Sequence, residues 1–304
     1  MSAQSVATLN EKFGIGTELR FATVADGFNV AVITNSHAAA SIAIQGAQIL
    51  TWTPRREKPV IWLSPGAKFV VGKSVRGGVP VCWPWFGAHA SEASFPAHGF
   101  ARTIPWEVTA SQRLKSGATK IAFRLPQTDA TRKQWPHSCE LELHATLGST
   151  LDIDLITRNT GSAPITIGDA LHTYFAVSDV RDISIHGLGG APYLDKVEDF
   201  KRKQQVGPIT INQEVDRLYL DTTADCLIDD PRWARRIRVH KHHSRSTVVW
   251  NPWLAKAEKL GDMGPNGYLN MVCVESTNAG DDVVTVAPGA SHALRVEYSL
   301  ERLR

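Results

Sequence analysis

In the stretch Cys139-Glu140-Leu141-Glu142-Leu143-His144-Ala145, apolar and polar residues alternate one for one. Successive side chains on a strand point to opposite faces, so this period of two sends one face into a core and the other toward water or a groove. The same alternation recurs along the chain in short runs separated by turn residues. FNVAVIT, ASIAIQG, QILTWT and VIWLS come early, and TKIAFRL, CELELHATL, TLDIDLITRNT and ITIGDALHTYFAV follow. DISIHGL, PITIN, RRIRVHKH, STVVWN, LNMVCVES, DVVTVAP and HALRVEYSL come later. These make about fifteen candidate strands, and many short strands at this spacing predict an all-β chain, a large antiparallel β-sandwich. No helix longer than two turns is expected.

The chain has 304 residues. Sandwiches of about 250 residues fold as one unit. No Pro- or Ser-rich linker, internal repeat or low-complexity tract divides the sequence, so a single domain over residues 1–304 is expected.

The formal net charge of +3 is near balance and gives no nucleic-acid signal. The basic runs RKQ, KRK and RRIRVHKHH read as solvated strand or loop faces. Within the last run, His240, His242 and His243 look like a metal cluster. Adjacent strand residues face opposite ways, however, and no Cys or carboxylate at ligand spacing completes a site, so no metal is expected. The four cysteines Cys82, Cys139, Cys226 and Cys273 are far apart and form no CxxC pair. They read as small hydrophobes rather than a disulfide framework. The first residues, MSAQSVATLNEKFGIG, lack a basic segment followed by an apolar one, and no apolar run approaches the ~20 residues that span a bilayer. A soluble, cytoplasmic protein with no membrane partner is the expectation, and a monomer.

Four stretches carry residues suited to chemistry. The first, SVRGGVPVCWPWFG (Ser74 to Gly87), sets Arg76 among three glycines, two prolines and three large rings. Gly77 and Gly78 permit a sharp turn or close backbone approach, and Pro80 and Pro84 fix φ. Arg76 is either a rigidly held binding group or a stacked or paired charge in an aromatic corner. The second, PAHGFAR, places His98 and Arg102 around a Gly-Phe pair. Arg102 suits bidentate anion binding, and His98 is equally read as structural. In GDALHTYF, His172 sits in an apolar strand, where both ring nitrogens need partners and a pKa near ~6.5 suits proton transfer. In MVCVES, Glu275 ends a strongly apolar strand. Burial there would raise its pKa toward that of a general base. A solvated strand end is the alternative. Asp216, in EVDRLYLD, could serve a ligand or pair locally with Arg217. Serine and cysteine nucleophile motifs, a P-loop and a GxGxxG are absent.

Taken together, SVRGGVPVCWPWFG, PAHGFAR, DALHTYFAV, EVDRLYLD, VVWNPW and MVCVES occur in an order that resembles the hexose-6-phosphate mutarotases. These glucose-6-phosphate 1-epimerases are a branch of the aldose 1-epimerase superfamily. The resemblance runs from about residue 40 to APGASHALRVEYSL near the C-terminus. It implies a galactose-mutarotase-like supersandwich that interconverts the α and β anomers of a hexose 6-phosphate. It implies that His172 and Glu275 are the catalytic pair and that Arg76, His98, Arg102 and Asp216 contact the substrate. It also implies that no metal or organic cofactor is needed. The DALHTYFAV form fits the sugar-phosphate branch better than the free-aldose branch.

The chemistry needs one acid and one base on opposite sides of a hemiacetal. On this reading Glu275 takes the proton of O1 and protonated His172 gives one to O5. A dianionic phosphate calls for fixed cations, for which Arg76, Arg102, Lys73 and Lys68 are candidates. Trp83, Trp85 and Phe86 offer flat faces to sugar C–H groups or pack the core. A free-aldose 1-epimerase and a non-catalytic sugar-phosphate binding protein are the alternatives. Glycoside hydrolysis is disfavoured because it usually uses two carboxylates.

Overall fold

The computed structural model describes residues 4–303. Two eight-stranded antiparallel sheets carry most of the chain. The first runs Lys201–Gln204, Pro192–Asp195, Val215–Tyr219, Ser246–Asn251, Met271–Asn278, Asp169–Leu171 and Val81–Cys82, with Tyr174–Ala176 also paired to Met271–Asn278. The second runs Ser184–His186, Cys226–Asp230, Arg235–His242, Ser291–Arg302, Leu151–Asn159, Cys139–Leu147, Thr119–Arg124 and Glu107–Arg113. A four-stranded meander, Leu19–Ala25 to Ile49–Pro54, lies at the N-terminal end, and Ile165–Ile167 pairs with Val284–Val286. This is the all-β sandwich that the alternation predicts.

The period of two explains the second sheet directly. Along Cys139–Leu147 every odd-numbered residue is buried and every even one is at least partly exposed. Leu151–Asn159 repeats the pattern. Their inward residues join one large apolar core with the inner face of the first sheet. Met271–Asn278 differs: all eight residues are buried. A strand covered on both faces reads as a continuous apolar run, and its polar members must then find partners inside the protein.

Two expected strands take another form. Val60–Ser64 makes only isolated bridges, Ile61 to Phe175 and Leu63 to Gly77, and Ile209 of PITIN bridges Ile185. Among the described residues the longest helices, Val6–Phe13 and Trp253–Leu260, have eight residues each. No helix is long and apolar enough to cross a membrane.

Candidate active site

Strand register builds the floor of the site. In the first sheet, Asp216 pairs with Trp250 and Trp250 with Cys273, which faces Tyr174. Two residues along each strand, Leu218 pairs with Val248 and Val248 with Glu275. Leu171 pairs with Ser276 and Tyr174 with Cys273, so one register runs on both sides of His172 and sets it opposite Glu275. The ladder itself opens at that point, because the His172 N–H donates to the Pro80 carbonyl at 3.0 Å. Residues two apart on a strand share a face. Hence His172, Tyr174, Asp216, Val248, Trp250 and Glu275 all line one cavity of about 300 Å³.

Loops supply the walls. Arg76 comes from the turn after Ser74. Gly78 there has φ +71, and a Cβ on it would meet the Ile49 carbonyl. Phe86, His98 and Arg102 come from the loop and 3-10 turn between residues 83 and 103. Lys196 opens the short turn Lys196–Glu198, and Lys256 lies on the helix Trp253–Leu260. All six residues singled out in the sequence therefore line the same cavity. Sequence reasoning missed Lys196 and Lys256, which carry no motif. It also missed Trp250, which the alternation in STVVWN sets on the face of Val248.

His172 Nε2 stands 3.3 Å from Glu275 Oε1, and Glu275 is 1% exposed. Among the described residues, His172 Nδ1 and Glu275 Oε2 have no hydrogen-bond partner. Buried polar atoms are rarely left so, and these two belong to residues lining the cavity. Burial pushes the Glu275 carboxyl well above its usual range, with Asp216 adding to the effect and Lys196 and Arg102 opposing it. Burial pushes His172 well below its usual value, reinforced by His98 and Arg102. Both shifts favour the uncharged forms of the two groups.

His98 is fixed as a neutral donor. Its Nδ1 accepts from the Gly87 N–H at 3.3 Å, leaving the proton on Nε2. Burial, with help from Arg102 and Lys196, lowers its pKa to about 3. Its backbone is at φ 66, a region uncommon for non-glycine residues.

The cations divide into paired and unpaired. Arg76 Nε donates to Asp262 Oδ1 at 2.9 Å and Nη1 to the Tyr174 hydroxyl at 3.0 Å. Burial alone would lower its pKa, but Tyr174 and Asp262 outweigh that and raise it. Lys196 lies 3.3 Å from Asp216 and over the Phe86 ring, and Lys256 is 2.7 Å from Glu214. Asp216 thus pairs with Lys196, not with its neighbour Arg217. Arg102 donates to the Ala97 carbonyl at 2.9 Å and makes no ion pair among the described residues. Lys68 and Lys73 are not on the cavity wall. Of the three rings, Phe86 lines the cavity, while Trp83 is buried and donates to Thr157. Trp85 donates to the Pro96 carbonyl.

Cys273 brings a third ligand-type atom within 4.8 Å of His172 and Glu275. Burial pushes its thiol well above the usual value, which opposes the thiolate a metal needs. The cations on the walls oppose a dication further. The arrangement suits proton exchange with an anionic ligand better than metal binding.

The sequence profile of the aldose 1-epimerase family matches residues 29–299. A protein of Escherichia coli (strain K12) named "Putative glucose-6-phosphate 1-epimerase" is 40% identical, over 84% of this chain and 85% of that one. A protein of the same name from Cenchrus ciliaris is 33% identical, over 86% of this chain and 80% of its own length. The crystal structure of a "putative mutarotase" from Salmonella typhimurium superposes with a TM-score of 0.89 at 34% identity, covering 95% of this chain and 96% of that one. A buried His–Glu pair at the floor of a cationic cavity, on this fold and with these relatives, leads to one assignment: the chain is an isomerase that belongs to the aldose 1-epimerase family.

Proposed function

We propose that this epimerase acts on hexose 6-phosphates, with glucose 6-phosphate as the representative substrate, and that His172 and Glu275 carry the proton transfers. The observation that carries the reading is the pairing of two unpartnered catalytic atoms on the floor with a carboxylate-free Arg102 on the wall. A free sugar gives such a guanidinium no counter-charge, whereas a phosphate accepts two hydrogen bonds from it. Lys196, already shared with Asp216, would add to the same field. The names of the relatives point the same way.

The mechanism follows from the one proton held by the pair. A sugar O1–H donating to Glu275 favours the carboxylate, and a ring O5 accepting from His172 favours the imidazolium. Substrate binding thus moves the resident proton across the 3.3 Å gap from Glu275 to His172. Glu275 then removes the proton of O1 as His172 protonates O5. The C1–O5 bond breaks and an aldehyde forms. Rotation about C1–C2 presents the other carbonyl face. On closure the two transfers run backward, and the pair is restored. His98 serves as a neutral N–H donor, Arg76 and Asp216 as polar contacts to sugar hydroxyls, and Phe86 and Trp250 as flat walls. The steps use protein groups alone.

The test is anomer exchange followed by NMR on glucose 6-phosphate and on glucose. Exchange well above the buffer rate for the phosphate, and much slower for glucose, supports the reading. Equal rates for both would assign a free-aldose epimerase. Tight binding with no exchange would make the protein a binder.

A further inference from the structure

The strand Arg235–His242 carries a histidine pair that the active site does not use. His240 and His242 lie two residues apart and share the outward face, while Lys241 between them is buried and donates to Ser246 and Thr247. The side chain of Asp225, just ahead of the neighbouring strand Cys226–Asp230, accepts from His240 Nδ1 through Oδ1, while its Oδ2 takes Arg238. A carboxylate on one ring nitrogen fixes the tautomer and leaves the other nitrogen's lone pair free, the arrangement that supports metal-bound histidines. That other nitrogen, His240 Nε2, stands 2.9 Å from His242 Nε2.

This separation has a geometric meaning. Two imidazole nitrogens at about 2.0–2.1 Å from a common ion lie about 2.9 Å apart when they subtend ~90°, and about 3.3–3.4 Å apart in a tetrahedral site. The observed spacing matches cis positions of a square or octahedral complex. We propose that His240 and His242 form a two-point chelate for Ni(II) or Cu(II), with Asp225 as its positioning carboxylate.

The surroundings tolerate a cation. On the next strand, Ser291–Arg302, Glu297 stands opposite His240 and Arg295 opposite His242. Arg295 is itself 3.3 Å from Asp154, and Arg238 is held by Asp225. His243 turns away, its Nδ1 on the Ala293 carbonyl. Without metal, the two Nε2 atoms share one proton in a hydrogen bond. On metal binding that proton passes through solvent to His242 Nδ1, so both imidazoles stay neutral, the ion takes both Nε2 lone pairs, and water fills the remaining positions. The two histidines are not adjacent in sequence, and the carboxylate comes from the segment just before the neighbouring strand.

The experiment is calorimetric titration of tag-free, chelator-stripped protein with nickel chloride. One site is expected, weakened at least tenfold by His240→Gln or by His242→Gln. Asp225→Asn is expected to weaken it about tenfold. Anomer exchange by His242→Gln should equal that of the wild type. Unchanged nickel affinity in His242→Gln overturns the proposal, as does no binding at about 1 mM nickel. Loss of the signal when glucose 6-phosphate saturates the protein would place the ion at the His172–Cys273–Glu275 cluster and overturn it too.

Discussion

Arg76 is held by Asp262 at 2.9 Å, whereas Arg102 on the same cavity wall has no carboxylate among the described residues. The two arginines therefore present different charges to a ligand. Arg76 with Asp262 is close to neutral as a unit, and Arg102 is a full positive charge. Arg102→Ala should raise KM for glucose 6-phosphate about 10–100-fold, the loss of one or two charge-assisted hydrogen bonds, and leave exchange of free glucose unchanged. Equal effects on the two sugars would remove Arg102 from phosphate recognition.

Asp262→Asn should act on stability instead. It leaves Arg76 partly buried and uncompensated, at a cost of about 1–2 kcal/mol, between the values for exposed and buried pairs. Inorganic phosphate should recover the lost melting temperature more strongly in this variant than in the wild type. Thermal unfolding with and without phosphate measures both effects.

Glu275→Gln and His172→Asn should each cut exchange by about 10²–10⁴-fold, the usual size of one acid–base contribution, while circular dichroism stays native. Wild-type exchange in either variant would take that residue out of the mechanism.

The polar interior predicts a pH effect on stability. Asp169 is fully buried, neither carboxylate oxygen has a hydrogen-bond partner among the described residues, and His292 Nε2 comes only to 3.9 Å of Oδ2. Burial, with Asp282 nearby, raises its pKa to about 8. The folded state thus holds this proton from about pH 4 to 8 while the unfolded chain releases it. Its stabilising effect is fully present below pH 4 and is lost as pH rises to 8, at up to about 1.4 kcal/mol per pH unit. Asp169→Asn has no such proton and should flatten the decline. Urea titrations at several pH values check it, and parallel profiles for the two proteins would refute it.

How much of this could be read from the sequence depends on whether neighbours in space are neighbours in the chain. The alternation in Cys139–Leu147 is a local property, and it gave the sheet and its inward face. The loop Ser74–Gly87 announced Arg76 by its rigidity. Asp262, which neutralises Arg76, lies 186 residues away, and nothing in GDMGP marks it. Lys196 enters the cavity only because a turn between two short strands brings it over Phe86. The opposed shifts of His172 and Glu275 were likewise hidden, since burial of both is a property of the assembled sheet. In the histidine run, alternation sets His240 and His242 on one face, but nothing in the sequence marks Asp225 as the carboxylate beside them.

Gly99→Ala should couple stability to the site. Gly99 has φ +72, and a Cβ there would collide with the Trp83 carbonyl oxygen. We expect a loss of at least about 2 kcal/mol in urea denaturation. Residual folded protein should show raised KM, because His98 is its immediate neighbour. A variant with wild-type stability and KM would mean the loop can move aside freely.

The place of Ser291–Arg302 bears on how the protein is made. This strand lies in the middle of its sheet, between Leu151–Asn159 and Arg235–His242. While the ribosome is still short of residue 291, the nascent chain holds two half-sheets with open, facing edges. Unpaired edges of this kind invite association with other chains. Closure comes late and joins strands far apart in sequence, a slow kind of step.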